Sequence, residues 1–262
     1  MSARPTILVT GSTDGIGKET ARLLVERGAD VVVHGRTLEK AERARAEVGA
    51  ARALAADLAS LDEVRALAGN FAGGGLDVLV NNAGVYAKKR TLTADGRELT
   101  MAVNHDAPFL LTHLLLPALA RSADPRVVNV SSIAHARGHI DVDDIDMARG
   151  WDGYGAYAAS KLANVLFSVE LARRAPNLRV NALHPGVVST KLLKAGFSMH
   201  GPDSLTDGAR TSVHLALAGV RATGKYFANE REAQPARAAA DRELCARFYD
   251  ASCRRVRIEP LA

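Results

Sequence analysis

The stretch that decides the fold is Thr6-Ile-Leu-Val-Thr-Gly11-Ser-Thr-Asp-Gly15-Ile-Gly17. An apolar strand runs here into a turn that carries three glycines. The pattern at 18–27 is helical and stops at Gly28, and a second apolar strand follows at 31–33. Strand, glycine turn, helix and strand make a βαβ unit, which requires parallel strands joined by a right-handed crossover.

The same alternation of strands and helices continues along the rest of the chain. No internal repeat, low-complexity tract or change of composition argues for a second domain. We therefore predict one doubly wound α/β domain of the Rossmann type over residues 1–262, with about seven mostly parallel strands and helices on both faces. The later elements are predicted as strands at 51–55, 78–80, 126–130, 178–183 and near 226, and as helices at 38–48, 61–71, 96–120, 157–175, 207–218 and 236–251.

Composition and charge exclude several classes of protein. The chain has 262 residues, 47% hydrophobic and 24% charged, and its formal net charge of +5 is spread along the sequence, so we expect no nucleic-acid partner. No signal-peptide pattern or apolar run of ~18 residues is present, which predicts a cytoplasmic protein without a membrane anchor. Cys245 and Cys253 could come within reach of each other, but their spacing favours free, reduced thiols.

The glycine turn predicts a nucleotide site. Ligands of doubly wound sheets bind beyond the carboxyl ends of the strands, and Gly11, Gly15 and Gly17 stand at the first of these ends. Glycine lets the backbone turn tightly and approach a pyrophosphate, and the following helix offers free N–H groups and a positive dipole end. The alternative is a turn that is glycine-rich without a ligand, which the position between a strand and a helix disfavours.

The end of the second strand indicates which nicotinamide cofactor is preferred. NAD enzymes place an acid there to hold the ribose 2′-hydroxyl, whereas this chain has no acid between Asp30 and Glu39. Arg36 could instead form a charge-assisted fork with a 2′-phosphate, so we predict NADP(H) over NAD(H). Lys40 either assists or is a solvated helix residue.

Tyr157 and Lys161 are four residues apart in a helical pattern, so their side chains would share one face. A phenol, with a pKa of about 10, is a poor proton-transfer group at neutral pH. A positive charge nearby favours the phenolate and would bring that pKa toward the working range. Taken alone, the pair also fits a chance arrangement on a solvated helix.

Over nearly its whole length the chain resembles the short-chain dehydrogenase/reductase family. The glycine turn matches the family's cofactor signature, Asn81-Asn-Ala-Gly84 matches its motif after the fourth strand, and Pro185-Gly-Val-Val-Ser-Thr190 is similar to its nicotinamide segment. The resemblance implies that the catalytic residues are Asn104, Ser132, Tyr157 and Lys161. The cofactor residues implied or predicted are Gly11, Ser12, Thr13, Gly15, Ile16, Gly17, Arg36, Asp57, Leu58, Asn82, Ala83, Gly84, Tyr157, Lys161, Pro185, Gly186, Val188 and Thr190.

Within that family the chain is similar to the retinol dehydrogenase and WW-domain oxidoreductase branch. The shared stretches are 129–135, 157–167, 184–186 and 224–227, together with 25 positions separating Ser132 from Tyr157. Two departures weaken any transfer of a retinoid substrate: Asp106-Ala-Pro108 replaces the usual Leu-Gly-His, and the N-terminal membrane anchor of the animal enzymes is absent.

The resemblance implies hydride transfer between nicotinamide and a carbonyl or alcohol carbon. Tyr157 would transfer the proton and Ser132, selected over Ser131 by the family pattern, would bind the substrate oxygen. Lys161 would hold the nicotinamide ribose and lower the pKa of Tyr157, while Asn104 would support a water-linked proton path. The alternative function is a protein that binds NADPH as a sensor or scaffold without turnover.

The substrate side is predicted from less specific features. Trp151 and Tyr154 precede the catalytic tyrosine and could wall a pocket, His135 and His139 adjoin the same side, and residues 191–205 fit a mobile, partly apolar lid that carries Leu192, Leu193, Phe197 and Met199. The aspartates at 141–146 lack the glycine and glutamate of a calcium loop, so we predict a solvated loop and no metal. The family also implies a homodimer or homotetramer through helices near 96–120 and 157–175.

Overall fold

One mostly parallel sheet of eight strands organises the computed structural model, which describes residues 4–197 and 201–261. In chain order the strands are β1 (Thr6–Val9), β2 (Asp30–Gly35), β3 (Arg52–Ala55), β4 (Val78–Asn81), β5 (Arg126–Val130), β6 (Arg179–His184), β7 (Lys225–Ala228) and β8 (Arg231–Ala233). Across the sheet they run β3-β2-β1-β4-β5-β6-β7-β8. The connections change direction between β1 and β4, so the carboxyl ends of these strands border a crevice.

Helices cover both faces of the sheet, as predicted. The apolar side chains of β1 alternate: Ile7 and Val9 pack in one core, and Leu8 packs in the other. The helices are α1 (Gly15–Glu26), α2 (Leu38–Val48), α3 (Leu61–Gly69), α4 (Leu99–Met101), α5 (Ala107–Leu119), α6 (Gly153–Arg174), α7 (Lys191–Phe197), α8 (Leu205–Leu217) and α9 (Arg242–Val256). A π-helix lies at Ala102–Asp106, and 3-10 helices lie at Ile133–Arg137 and Arg237–Ala240.

One strand and two helices of the structure differ from the prediction. β8 was missed because it is three residues long and lacks an apolar run; it pairs antiparallel with β7. The helix predicted at 96–120 is divided by the π-helix into α4 and α5. The helix predicted at 236–251 is a 3-10 turn followed by α9, because Asp241 caps α9 by accepting a hydrogen bond from the Leu244 N–H.

A buried charge network explains why Asp106 stands where the family resemblance would place another residue. This fully buried carboxylate accepts two hydrogen bonds from Arg255, at 3.1 and 2.8 Å. Arg255 also binds Asp146 at 2.8 Å, and Arg97 lies 3.9 Å from Asp106. Burial raises the pKa of Asp106, and the Arg255 guanidinium opposes that rise. The network therefore ties the π-helix to α9 and to the long segment between β5 and α6.

Removal of the central cation should destabilise the fold. We expect Arg255→Met to lower the free energy of unfolding by about 3 kcal/mol, because it leaves the Asp106 carboxylate buried without its main partner. The neighbouring exposed Arg254 provides a matched control, and Arg254→Met should change stability by less than about 0.5 kcal/mol. Urea unfolding measures both; a loss below about 1 kcal/mol for Arg255→Met would mean that the network is worth no more than an exposed ion pair.

Helix α9 packs on α5 and α6, the helices that the resemblance assigned to subunit contacts. The Tyr249 hydroxyl of α9 donates a 2.6 Å hydrogen bond to His113 Nε2, because His113 Nδ1 donates to the Phe109 carbonyl, and the Tyr249 ring lies 5.2 Å from that of Phe109. Cys245 and Cys253 are buried, free thiols in this helix. The predicted dimer or tetramer stays a prediction. In the parts of the chain that the structure describes, no helix is both long and apolar enough to cross a membrane.

Candidate active site

A cavity of about 1230 Å³ lies at the carboxyl ends of the central strands and brings most of the predicted site residues together. Three of them lie behind its wall: Ser12, Gly17 and Asn104. The predicted residues on the wall are Gly11, Thr13, Gly15, Ile16, Arg36, Asp57, Leu58, Asn82, Ala83, Gly84, Ser132, Tyr157, Lys161, Pro185, Gly186, Val188 and Thr190.

The glycine turn has a backbone that other residues rarely adopt. Gly11 and Gly15 have φ angles of +63° and +56°, in the left-handed region. Gly17 serves packing: a methyl group there would lie 2.2 Å from Asn82 Nδ2 and 2.4 Å from the Gly11 carbonyl oxygen. That amide donates to the Thr10 carbonyl at 2.8 Å, which fastens the end of β4 to the turn. Gly17 thus permits the close approach that shapes the cavity without facing it.

Ser12 also supports the turn from behind. Its buried hydroxyl donates to the Val9 carbonyl at 2.8 Å and accepts from the His34 N–H at 2.9 Å. Both bonds join the turn to the ends of β1 and β2. The hydroxyl is therefore engaged within the protein, and contact between Ser12 and a cofactor stays a prediction.

His34 is a residue whose part in this site the sequence interpretation missed. Its Nδ1 accepts from the Gly11 N–H at 3.1 Å, and its Nε2 donates to the Ala56 carbonyl at 3.1 Å. Burial lowers the pKa of His34 to about 4, so the ring is neutral at physiological pH with its proton on Nε2. The available signal was a polar residue inside the apolar strand β2, two positions before Arg36.

Loss of the His34 ring should weaken cofactor binding. In His34→Ala the Gly11 N–H loses its acceptor, and we expect the Kd for NADPH to rise about tenfold. The carbonyl oxygen of His34→Asn can replace Nδ1, so this variant should bind more tightly than His34→Ala. His139→Ala, at an exposed histidine, is the control. Fluorescence titration with NADPH measures the Kd of all three variants. Equal Kd values would show that His34 does not contribute to cofactor binding.

Cations lie at the far side of the cavity, beyond the end of β2. Arg36 is exposed and lines the cavity with Lys40 and Arg43. Gly35 allows this arrangement, because a methyl group at that position would lie 2.4 Å from the Thr13 side chain. The cluster offers positive charge where a nucleotide bound at the glycine turn would place its ribose.

Tyr157 and Lys161 lie together on α6. Lys161 Nζ is 5.6 Å from the centroid of the Tyr157 ring and donates to the Val130 carbonyl at 3.0 Å. Burial lowers the pKa of Lys161 to about 8. Burial raises the pKa of Tyr157 to about 12, and a hydrogen bond with Ser132 opposes the rise. The predicted lowering of the Tyr157 pKa was therefore wrong for this structure, since desolvation outweighs the hydrogen bond with Ser132.

Asn104 lies in the π-helix, behind the cavity wall. Its Nδ2 donates to the Val85 carbonyl at 3.0 Å and to Ser160 Oγ at 2.9 Å, while its Oδ1 accepts from the Val85 N–H at 2.7 Å. A methyl group at Gly84 would meet both Lys161 Nζ, at 3.3 Å, and Asn104 Oδ1, at 3.4 Å. Asn104 therefore anchors the segment after β4 next to the lysine ammonium.

The two serines after β5 point in opposite directions, as strand alternation requires. Ser131 is buried and its hydroxyl donates to the Lys161 carbonyl at 2.7 Å. Ser132 lines the cavity, and its hydroxyl accepts from the Ala134 N–H at 3.2 Å. Ser131 also borders the cavity, but its hydroxyl binds the Lys161 carbonyl, whereas the Ser132 hydroxyl forms a hydrogen bond with Tyr157. The geometry thus assigns Ser132 to the side of Tyr157.

Apolar and aromatic side chains form the wall beside Ser132 and Tyr157. The Tyr86 ring lies 5.8 Å from that of Tyr157, and Ile133 is 62% exposed on the cavity wall. Tyr154 and Leu192 pack with Tyr157. The expectation that Trp151 walls the pocket was wrong, because its indole turns away and donates to Glu98 at 3.3 Å.

The predicted lid is partly helical. Residues 191–197 form α7, and Leu192 and Leu193 line the cavity. Ser189, just before the lid, is joined to Gly201 within it. Ser189 Oγ accepts from the Gly201 N–H at 2.9 Å and donates to the Gly201 carbonyl at 3.1 Å. Met199 lies outside the described residues, and the mobility of this segment stays a prediction.

Comparisons with known proteins agree with this architecture. A family model described as short chain dehydrogenase matches residues 5–200. Retinol dehydrogenase 13 of Homo sapiens is 39% identical, over 97% of this chain and 85% of its own length. The crystal structure of an uncharacterized protein from Mycobacterium paratuberculosis superposes with a TM-score of 0.86 at 34% identity, over 99% of this chain and 96% of that one.

A second similar structure contains a cofactor. It is a short chain dehydrogenase from Shigella flexneri 2a str. 301 complexed with NADP, 29% identical over 87% of this chain and 97% of that one, with a TM-score of 0.69. The chain belongs to the short chain dehydrogenase family. It is accordingly an oxidoreductase that acts on alcohol or carbonyl groups and binds a nicotinamide cofactor.

Proposed function

We propose that this protein transfers a hydride between NADP(H) and the carbonyl or alcohol carbon of a mid-sized, hydrophobic substrate. The observation that carries the proposal is that Ser132, Tyr157 and Lys161 line the same cavity as the glycine turn. The turn fits a dinucleotide, because Gly11 and Gly15 leave the backbone open and α1 begins there with its positive dipole end.

The nicotinamide, when bound, supplies or accepts the hydride. Lys161 would hold its ribose, and residues 185–190 would hold the ring. Tyr157 donates a proton to the carbonyl oxygen in the reducing direction and accepts one in the oxidising direction. Ser132 donates a hydrogen bond to the same oxygen and stabilises the charge that develops there. With a pKa of about 12 the phenol is protonated at neutral pH, which suits the donor role of Tyr157 in reduction.

The proton-transfer role of Tyr157 can be tested by removal of one oxygen atom. We expect Tyr157→Phe to lower kcat by at least about 100-fold, because the proton donor is lost. The Kd for NADPH should stay within about twofold, since the ring that packs with Tyr154 and Leu192 is retained. NADPH oxidation followed at 340 nm and NADPH titration measure the two quantities. Near-normal turnover would remove Tyr157 from the mechanism.

The preference for NADP(H) rests on Arg36 and on the cations beside it. Arg36→Ala removes the fork that would bind the 2′-phosphate, so we expect the Kd for NADPH to rise about tenfold while the Kd for NADH changes less than about twofold. NADH serves as the internal control because it lacks the phosphate. An equal change for both cofactors, or none for NADPH, would contradict this assignment.

The apolar wall formed by Ile133, Tyr154 and Leu192 supports a hydrophobic substrate. The named relative, a retinol dehydrogenase, makes retinal a reasonable member of a test panel with ketones and aldehydes of different sizes. The alternative function, NADPH sensing or scaffolding without turnover, predicts binding without oxidation across that whole panel. The intact set of Ser132, Tyr157 and Lys161 argues against it, because binding alone does not require these three together.

A further inference from the structure

The peptide unit that follows the Ser132 side chain is held from both of its polar ends by histidines. The Ser132 carbonyl accepts a 2.7 Å hydrogen bond from His135 Nδ1, and the Ile133 N–H donates a 3.2 Å hydrogen bond to His184 Nδ1. These two groups belong to the same peptide bond. The plane of that bond is therefore specified by two imidazole rings from different elements.

The strand ladder cannot supply this support. The last register pair between β5 and β6 is Val130 with Leu183, and the final backbone bond runs from the Ser131 N–H to the Leu183 carbonyl at 2.8 Å. Ser132, with φ −161° and ψ 160°, already lies beyond the ladder. Its backbone would otherwise be positioned by the short 3-10 helix alone.

The hydrogen bonds of each ring define which of its two nitrogens carries the proton. His135 Nε2 accepts from the Ala236 N–H at 3.1 Å, so its proton is on Nδ1, where it donates to Ser132. The His135 ring also packs 4.4 Å from that of Tyr226 on β7. His184 uses Nδ1 as the acceptor, so its proton is on Nε2. Both rings are neutral, since each has one nitrogen that accepts a backbone N–H and therefore carries no proton. Burial, which lowers the pKa of both rings, favours the same state.

We propose that His135 and His184 are positioning residues, a two-histidine clamp that holds the Ser132–Ile133 peptide and aims the Ser132 hydroxyl at Tyr157 and the substrate oxygen. His184 ends β6 and directly precedes Pro185 and Gly186 on the cavity wall. The clamp thereby couples the serine to the segment proposed to hold the nicotinamide. This inference deepens the proposed function and rests on it for its kinetic consequence.

The clamp makes a structural prediction that needs no turnover. In protein labelled with ¹⁵N-histidine, the ring nitrogen shifts should show opposite tautomers, Nδ1–H for His135 and Nε2–H for His184. Single His→Asn variants assign the two signals. The same tautomer for both rings, or a charged ring at pH 7.5, would overturn the clamp whether or not the enzyme accepts any substrate of the panel.

The kinetic test compares two variants of His184. In His184→Asn the amide oxygen can take the place of Nδ1, so kcat should stay within about threefold of the wild type, whereas His184→Gln puts its amide near Nε2 and should lower kcat about tenfold. The Kd for NADPH should change less than about twofold in both. The primary isotope effect with C4-deuterated NADPH should rise in His184→Gln, because hydride transfer becomes more rate-limiting.

His139 was predicted to adjoin the substrate side, but in the structure it is exposed and does not line the cavity. His139→Asn is therefore the matched control and should leave kcat unchanged. Equal loss in His184→Asn and His184→Gln, or a loss that follows the fraction of folded, NADPH-binding protein without a larger isotope effect, would overturn the positioning role. If the wild-type protein binds NADPH but does not oxidise it with any carbonyl compound, the proposed function is overturned. The measurement of the two histidine tautomers would still test the clamp.

Discussion

The structure of the site depends on the buried ammonium group of Lys161 at the carboxyl end of β5. A charge withdrawn from water is stable in a protein only where polar groups replace its hydration. The Val130 carbonyl is such a group, because β5 has ended and its last carbonyl is free to accept a bond from outside the ladder. The lowered pKa of Lys161 shows that this replacement is incomplete in the protein alone. A ribose hydroxyl group at the same point would complete it.

Several elements converge on that ammonium group. Ser131 binds the Lys161 carbonyl and fixes the first half of α6 to the end of β5. Asn104 and Gly84 close the opposite side, where any side chain at Gly84 would crowd Lys161. The π-helix is what brings Asn104 there, and Asp106 holds the end of that π-helix through Arg255. The catalytic geometry is thus supported by a residue of α9 that lies far from it in the sequence.

The sequence predicted the features that depend on local spacing. The βαβ unit, the glycine turn and the shared face of Tyr157 and Lys161 follow from periods of two or 3.6 residues and from motifs within about 20 residues. The choice of Ser132 over Ser131 came from the family resemblance. It did not predict the π-helix, the turned-away Trp151 or the internal use of Ser12. Each of these is decided by a partner distant in the sequence, as Trp151 is by Glu98 and Ser12 by His34.

The histidines show most clearly the difference between features set by local spacing and features set by partners distant in the sequence. From the sequence, His135 was predicted only to adjoin the substrate side, His184 belonged to a stretch shared with the retinol dehydrogenase branch, and no contact was predicted for His34. In the structure His34 and His184 each accept a backbone N–H just after a strand ends, and His135 donates to the Ser132 carbonyl just after β5. A neutral imidazole suits such points, because it can accept on one nitrogen and donate on the other, and so join two chain segments that no longer share a ladder. Burial keeps these rings neutral, and the apolar core therefore helps to orient the polar edge of the sheet.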